Sequence, residues 1–249
     1  MKKTLLAATA LTGILLAGTA QAGVLDFFTA DAPGGGFHAG DFLGHVRVIG
    51  VLPNVDAPAH LFVDGAPLGP TGKVDATQSI EPEADLSYFI TDSIAVEAIA
   101  GTTKHSLHLS GTTANELLGN DNVNIGSARL LPPTITLKYY FQPQAAFSPY
   151  VGAGINYTMF FDTHQEMAAQ GIVNGAFHIQ DALGAAIQAG IDYNVAGNWY
   201  LNLDVKHIFL NTAATVTGDV PALGGAHVLV RANIDLDPTI VGFGVGYKF

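Results

Sequence analysis

Charged side chains are sparse in this 249-residue chain, and several of them recur on alternate positions inside otherwise apolar runs. Arg47, Glu81, Glu83, Asp85, Glu97, Lys138, Asp192, Asp204 and Lys206 form that set. On one enclosed face, charges of both signs must be paired or solvated. The set therefore reads first as an ion-pair plug. Its functional reading is a polar floor that stops a hydrophobic solute and turns it sideways. Metal chemistry is poorly supported: His105 and His108 point to opposite faces of a strand, and no carboxylates accompany them at ligand spacing. Gly152-x-Gly154 and Gly242-x-Gly244-x-Gly246 lie within strand patterns with no following helix. They are small residues suited to a crowded interior, not phosphate loops.

The elements that position these charges repeat every second residue. Eight strands are expected, at 38–52, 79–91, 94–105, 133–141, 148–161, 180–193, 199–210 and from 239 to the end. In the first, Phe42, Val46, Val48 and Leu52 oppose His45 and Arg47. In the last, Val241, Phe243, Val245, Tyr247 and Phe249 oppose Gly242, Gly244, Gly246 and Lys248. Short connections (91–93, 142–147, 194–198) alternate with long ones (53–78, 106–131, 162–178, 211–238). Greasy outside, polar inside, with alternating turn lengths, this is the pattern of an all-β, eight-stranded antiparallel transmembrane β-barrel of up-and-down topology. An even strand count leaves both termini in the periplasm. The aromatics sort to two ends: Tyr88, Phe89, Tyr139, Phe141, Tyr193, Trp199, Tyr247 and Phe249 by the short turns, Tyr157, Phe160, Phe161 and Phe209 by the long loops. Tyr247 and Phe249 are the expected assembly signal for the barrel-assembly machinery.

Composition bounds the compartment. Lys2 and Lys3, the apolar run from Leu5 to Leu16 and Ala20-Gln21-Ala22 make residues 1–22 a signal peptide. Residues 23–37 read as a flexible periplasmic segment, and 38–249 as the barrel. With no cysteine, neither disulfides nor a lipid-modified N-terminal Cys can form. Without the leader, 8 cationic residues face 21 carboxylates, a net charge of −13. That argues against nucleic acid and against an anionic surface as partner. Hydrophobic residues make up 49% of the chain and charged ones 12%. A soluble lipocalin-like barrel would then need a surface nearly free of charge.

Several blocks resemble the outer membrane protein W family. They are Asp41-Phe42-Leu43 through Arg47-Val48-Ile49-Gly50-Val51-Leu52-Pro53, Asp85-Leu86-Ser87-Tyr88-Phe89 with Ile94-Ala95-Val96-Glu97, and Leu131-Pro132-Pro133-Thr134. The run Pro149-Tyr150-Val151-Gly152-Ala153-Gly154-Ile155-Asn156-Tyr157 and the ending from Gly242 to Phe249 complete the match. The resemblance implies a monomeric outer-membrane barrel with a narrow hydrophobic lumen, associated with passage of small hydrophobic compounds. Family members are also linked to phage or colicin reception, a role that resides in the loops, where this chain departs most (53–78 and 211–238), so it does not carry over; a structural or surface-interaction barrel with acidic external loops is the competing reading. Expected partners are outer-membrane lipid and lipopolysaccharide, the assembly machinery and small hydrophobic molecules, with no nucleic acid.

Within that frame, Leu43, Ile49, Ile99, Phe160 and Leu210, with loop residues Leu117 and Leu118, are the expected lining of an upper chamber. Pro82, Pro132 and Pro133 cannot donate ladder hydrogen bonds and mark a candidate gap in the wall. Met167, Ala168 and Ala169 favour a short helix over 162–173. His108-Leu109-Ser110 resembles the His-x-Ser of outer-membrane lipid A deacylases, whose triad a Glu completes. Glu116, the nearby candidate, lies in loop sequence, so no catalytic residue, cofactor or metal is expected.

Overall fold

A strand leaves its polar backbone groups unpaired at any free edge, and lipid cannot satisfy them, so a strand-built membrane segment must close on itself. It does so here. The computed structural model describes residues 29–55, 57–111, 122–165, 173–221 and 224–249. Fifteen strands are present: β1 (Phe42–Leu52), β2 (Ala57–Val63), β3 (Ala66–Ala76), β4 (Ser79–Phe89), β5 (Ile94–Gly101), β6 (Thr103–Ser110), β7 (Asn122–Leu131), β8 (Thr134–Tyr140), β9 (Phe147–Gln165), β10 (Val173–Ile179), β11 (Ala182–Ala196), β12 (Trp199–Phe209), β13 (Asn211–Val220), β14 (Ala226–Asp235) and β15 (Thr239–Lys248). Eight of them, β1-β4-β5-β8-β9-β11-β12-β15, pair antiparallel in a ring that closes between β15 and β1. The seam is in register from Leu43↔Lys248 to Leu52↔Thr239.

The other seven strands occupy the stretches expected to be long loops. They continue the barrel upward as a second tier, β10-β13-β14-β2-β3-β6-β7-β9, with β9 running through both tiers. Between tiers the other strands break at one level, near Pro53, Thr77, Thr102, Pro132-Pro133, Gln180, Leu210 and Pro238. The expected loops 53–78, 106–131, 162–178 and 211–238 are thus largely strand. Asp162 to Gln165 belong to β9 and not to a helix, because they extend a ladder with β7 (Ser127↔His164, Gly126↔Gln165). Residues 166–172 lie outside the described ones.

Polarity inverts at the break. In the lower tier the outward residues are apolar, with Leu183 69% and Phe243 60% exposed, while Lys138, Asp192 and Asn156 are fully buried inside. In the upper tier the inward face is apolar: Ala57, Ala59, Val74, Leu107, Ala128, Phe177, Ile179, Ala214, Val216, Ala232 and Ile234 form one buried cluster. Its outward face carries Pro58, His60, Lys73, Asp75, Lys104, Arg129, His178 and Arg231, all exposed. Lipid sets the first arrangement and water the second, since each surface matches its solvent. The lower tier therefore spans the membrane and the upper one projects from it.

The bottom of the barrel is also closed. Phe37 is fully buried between Phe89 (ring centroids 4.5 Å apart) and Tyr200 (4.9 Å). The backbone around it is bonded to the turns: Ala32 N donates to Gln144 O, Phe37 N to Pro143 O and Gly40 N to Phe89 O. Lys248 Nζ donates to the carbonyls of Gly34 and Gly36. The segment expected to be flexible is thus pinned from Asp31 onward, while the leader lies outside the described residues. Phe89, expected in the lower girdle, faces inward against Phe37, whereas Tyr88 faces lipid.

Candidate functional site

Three layers fill the barrel. The lowest is the aromatic cluster of Phe37, Leu43, Phe89, Ala95, Tyr140, Tyr150 and Tyr200. Above it lies a polar layer organised by Arg47. Strand parity turns Arg47 inward, and Gly242 and Gly244 on neighbouring β15 leave room for its chain: a Cβ on Gly244 would come within 2.9 Å of Arg47 Cγ. Arg47 Nη1 donates to Glu83 Oε1 (2.9 Å), Nη2 to Glu97 Oε1 (3.2 Å) and Nε to Asn202 Oδ1 (2.7 Å). Asp85 Oδ2 is 2.9 Å from Nη2, in charge contact without hydrogen-bond alignment.

The rest of the layer is knitted to this hub. His45 sets Nδ1 2.7 Å from Asp85 Oδ1 and Nε2 2.9 Å from Asp192 Oδ1, a bridge that an imidazolium satisfies by donating twice. Lys138 Nζ donates to Glu97 (3.2 Å) and stands 3.8 Å over the Tyr150 ring. Lys206 Nζ reaches Glu83 Oε2 at 3.3 Å. Gln188 donates to Glu97 Oε2 (2.6 Å), Tyr140 to Asp192 (2.8 Å) and Tyr150 to Asp204 (2.8 Å). These groups are buried, so they form a dry, cross-linked floor across the lumen. His45, Asp85 and Glu97 bring ligand-type atoms within 4.8 Å of one another, but the Arg47 guanidinium lies among them.

Of the polar residues singled out by sequence, Arg47, Glu83, Asp85, Glu97, Lys138, Asp192, Asp204 and Lys206 are in the floor. Glu81 stands above it, half-buried on β4, where its charge acts on His105. His45, Gln188, Asn202, Tyr140 and Tyr150 are floor members that were not singled out. Their inward parity was readable; their height and partners were not.

Above the floor is an apolar cavity of about 70 Å3. Ile49, Ile99, Phe160 and Leu210 line it, together with Val51, Leu107, Ile208, Leu236 and Ile240. Leu43 faces inward but one layer too low: it packs among the bottom aromatics, because parity fixes a face and not a depth. Leu117 and Leu118 lie outside the described residues. His105 lines the chamber from β6; burial pushes its imidazole below the ordinary value, against the pull of its bond to the Thr77 carbonyl (2.6 Å) and of Glu81.

The prolines flank a loosened seam. β4 pairs with β5 only up to Glu83↔Gly101, and pairing resumes at Ala76↔Leu107 between β3 and β6. Across the next gap, β5–β8 pairing stops at Ile99↔Thr134 and β6–β7 pairing begins at Thr103↔Leu130. Thr102 thus lacks a ladder partner on either side, and Gly101, which keeps Glu83 on β4, lacks one toward Pro132-Pro133. On the far side of the prolines the wall stays shut, with Tyr157 N donating to Pro133 O at 3.0 Å.

A closed strand ring with an apolar belt and a buried polar lumen defines an outer-membrane β-barrel. The particular kind follows from comparison: residues 38–249 match the OmpW family model, and the chain belongs to that family. It is 39% identical over 185 residues to the outer-membrane protein y4mB of Sinorhizobium fredii, covering 72% of this chain and 70% of that one. It is 33% identical over 186 residues to outer membrane protein W of Escherichia coli, covering 74% and 80%. Among solved structures, OprG of Pseudomonas aeruginosa is similar with a TM-score of 0.72 and 30% identity, over 86% of this chain and 98% of that one.

Proposed function

We propose that the barrel conducts small hydrophobic molecules from outside the cell into the outer membrane. They enter the apolar upper chamber, stop at the ion-paired floor and leave sideways at the seam beside Gly101. The observation that carries this reading is the stacking of an apolar chamber directly on a dry polar floor. A polar solute loses its hydrogen bonds to water on entering such a chamber, at about 2–7 kcal/mol per unpaired group. An apolar one gains about 25 cal/mol for each Å2 it buries. Neither can cross the floor without separating buried charges. The seam offers the remaining direction, and the exposed Ile80 on its outer side meets lipid. A Pseudomonas aeruginosa relative, 28% identical over 197 residues, is named as a protein of a dibenzothiophene metabolism operon, which supports an apolar cargo.

The resting cavity is smaller than the roughly 150 Å3 that admits benzene in an engineered core, so a ring-sized solute must displace side chains such as Phe160 and Leu210. Uptake of a graded series of hydrophobic compounds by cells lacking the protein, complemented with wild type or Ile49→Arg, tests the chamber. Uptake should return with wild type and not with the folded block. Gly101→Cys/Pro132→Cys, which face each other in the extended register, tests the exit: oxidation should suppress uptake and reduction restore it. Uptake independent of the protein would refute conduction. Uptake blocked by Ile49→Arg yet indifferent to the disulfide would refute only the exit.

A further inference from the structure

The chamber above the floor is apolar save for a few side chains, and most of those are already bonded within the wall. Thr158 donates to Asn156 Oδ1 (2.7 Å), Thr212 donates to the Gln180 carbonyl (2.6 Å), and Glu83 is held by Arg47 and Lys206. His105 is different. Parity on β6 turns it inward with Thr103 and Leu107, and it lines the chamber. Its Nδ1 lies 2.6 Å from the Thr77 carbonyl oxygen, which only accepts, so Nδ1 carries the hydrogen of the ring. Burial favours the neutral imidazole. Nε2 is then a bare lone pair, and no described residue is bonded to it. Glu81 acts on the ring through its charge and, being an acceptor itself, does not fill that lone pair.

The acceptor is also fixed in place. Thr77 N donates to the Ser106 carbonyl and Ser106 N to Thr77 Oγ1, both at 3.0 Å, which ties β6 to the Thr77 turn at the level of the ring. A fixed acceptor in an apolar space pairs with a solute that brings one N–H or O–H. A solute with no donor leaves it unpaired, and one with acceptors alone sets lone pair against lone pair. Thr103 lines the chamber too, but a hydroxyl both donates and accepts and so does not discriminate.

We infer that His105 is the specificity-determining residue of the chamber and selects small apolar molecules that carry a single N–H or O–H donor. This rests on the proposed binding of hydrophobic molecules in the chamber and narrows their class. The cost of bringing a polar group out of water is offset for one donor, at Nε2, and for no acceptor.

Titration of pyrrole, thiophene and thiazole into the folded protein in nanodiscs tests it. These five-membered rings are close in size, and only pyrrole has an N–H. The Ile49 and Ile99 methyl resonances report occupancy of the chamber, and the His105 Nε2 nitrogen resonance reports a hydrogen bond to the ring. All three solutes should move the methyls, and pyrrole alone should move Nε2. In His105→Asn the amide keeps a donor near Thr77 but places no atom at Nε2. The ratio of pyrrole to thiophene affinity should therefore fall about fivefold, the worth of one hydrogen bond, while partition into lipid cancels between the two proteins. An unchanged ratio, or an Nε2 resonance that thiophene or thiazole moves as far as pyrrole does, overturns the selection and leaves the chamber standing. Methyls that none of the solutes moves overturn the chamber and the selection together. If His105→Asn does not fold, wild type decides: a pyrrole-specific displacement of Nε2 supports the selection, and its absence overturns it.

Discussion

Arg47→Met removes the hub of the floor while keeping most of its volume. The guanidinium contacts Glu83, Asp85 and Glu97 and donates to Asn202, all out of contact with water. Without it, five floor carboxylates face Lys138, Lys206 and His45. Removing one partner of a buried charge network costs about 3–5 kcal/mol, chiefly because the remaining charges stay buried and uncompensated. With a urea slope of about 2 kcal/mol per molar, a loss of about 4 kcal/mol lowers the unfolding midpoint by roughly 2 M. Trp199, the single tryptophan, is exposed on the lipid face and reports unfolding from vesicles by its emission. Adding Glu83→Gln and Asp85→Asn to the variant should recover much of the loss, since neutral amides need no counter-charge. A midpoint shift below about 0.5 M would refute the reasoning, because it would mean that the floor is hydrated and each charge independently solvated.

Phe37→Ala should release the N-terminal strap without opening the barrel. A loss of about 3 kcal/mol from an emptied aromatic site corresponds to more than hundredfold faster amide exchange at Phe37 and Gly40, with β-strand amides unchanged. Gly244→Ala should impair closure of the β1–β15 seam, because its Cβ would collide with the Val46 carbonyl oxygen; the measurement is the folded fraction after refolding into vesicles. His105 predicts a pH effect. Its folded value lies below the unfolded one near 6.5, so its stabilising contribution is full above that pH and is lost as pH falls through the window beneath it. Unfolding of wild type should therefore become easier below about pH 6.5, and His105→Gln should flatten that limb of the curve.

By itself the sequence determined the lower tier. Side-chain alternation is a local property of an extended chain, so Val46, Val48 and Phe243 could be assigned to lipid, and Arg47, Glu97 and Lys138 to the lumen, without knowing any partner. The apolar count could be satisfied only by a lipid-facing belt. The upper tier was not legible for equally local reasons. Ala57, Ala59, Ala128, Ala214 and Ala232 are too small to mark an inward face, Pro58, Pro67 and Pro70 read as loop, and register shifts near Ala59 and Leu107 interrupt the period. Its polarity is also the reverse of the tier below, which a single rule of greasy outside and polar inside misreads.

What the tertiary structure alone decided is depth and partnership. Leu43 and Ile49 share a strand and a face, yet one packs among bottom aromatics and the other lines the chamber. Arg47 meets Glu83 and Glu97 at separations of 36 and 50 residues, and Asn202 at 155. The four exposed cations Lys73, Lys104, Arg129 and Arg231 come to share the outward face of the upper tier only when its strands pair around the ring. Register between distant strands is set by closure of the whole barrel, and no window of sequence contains it.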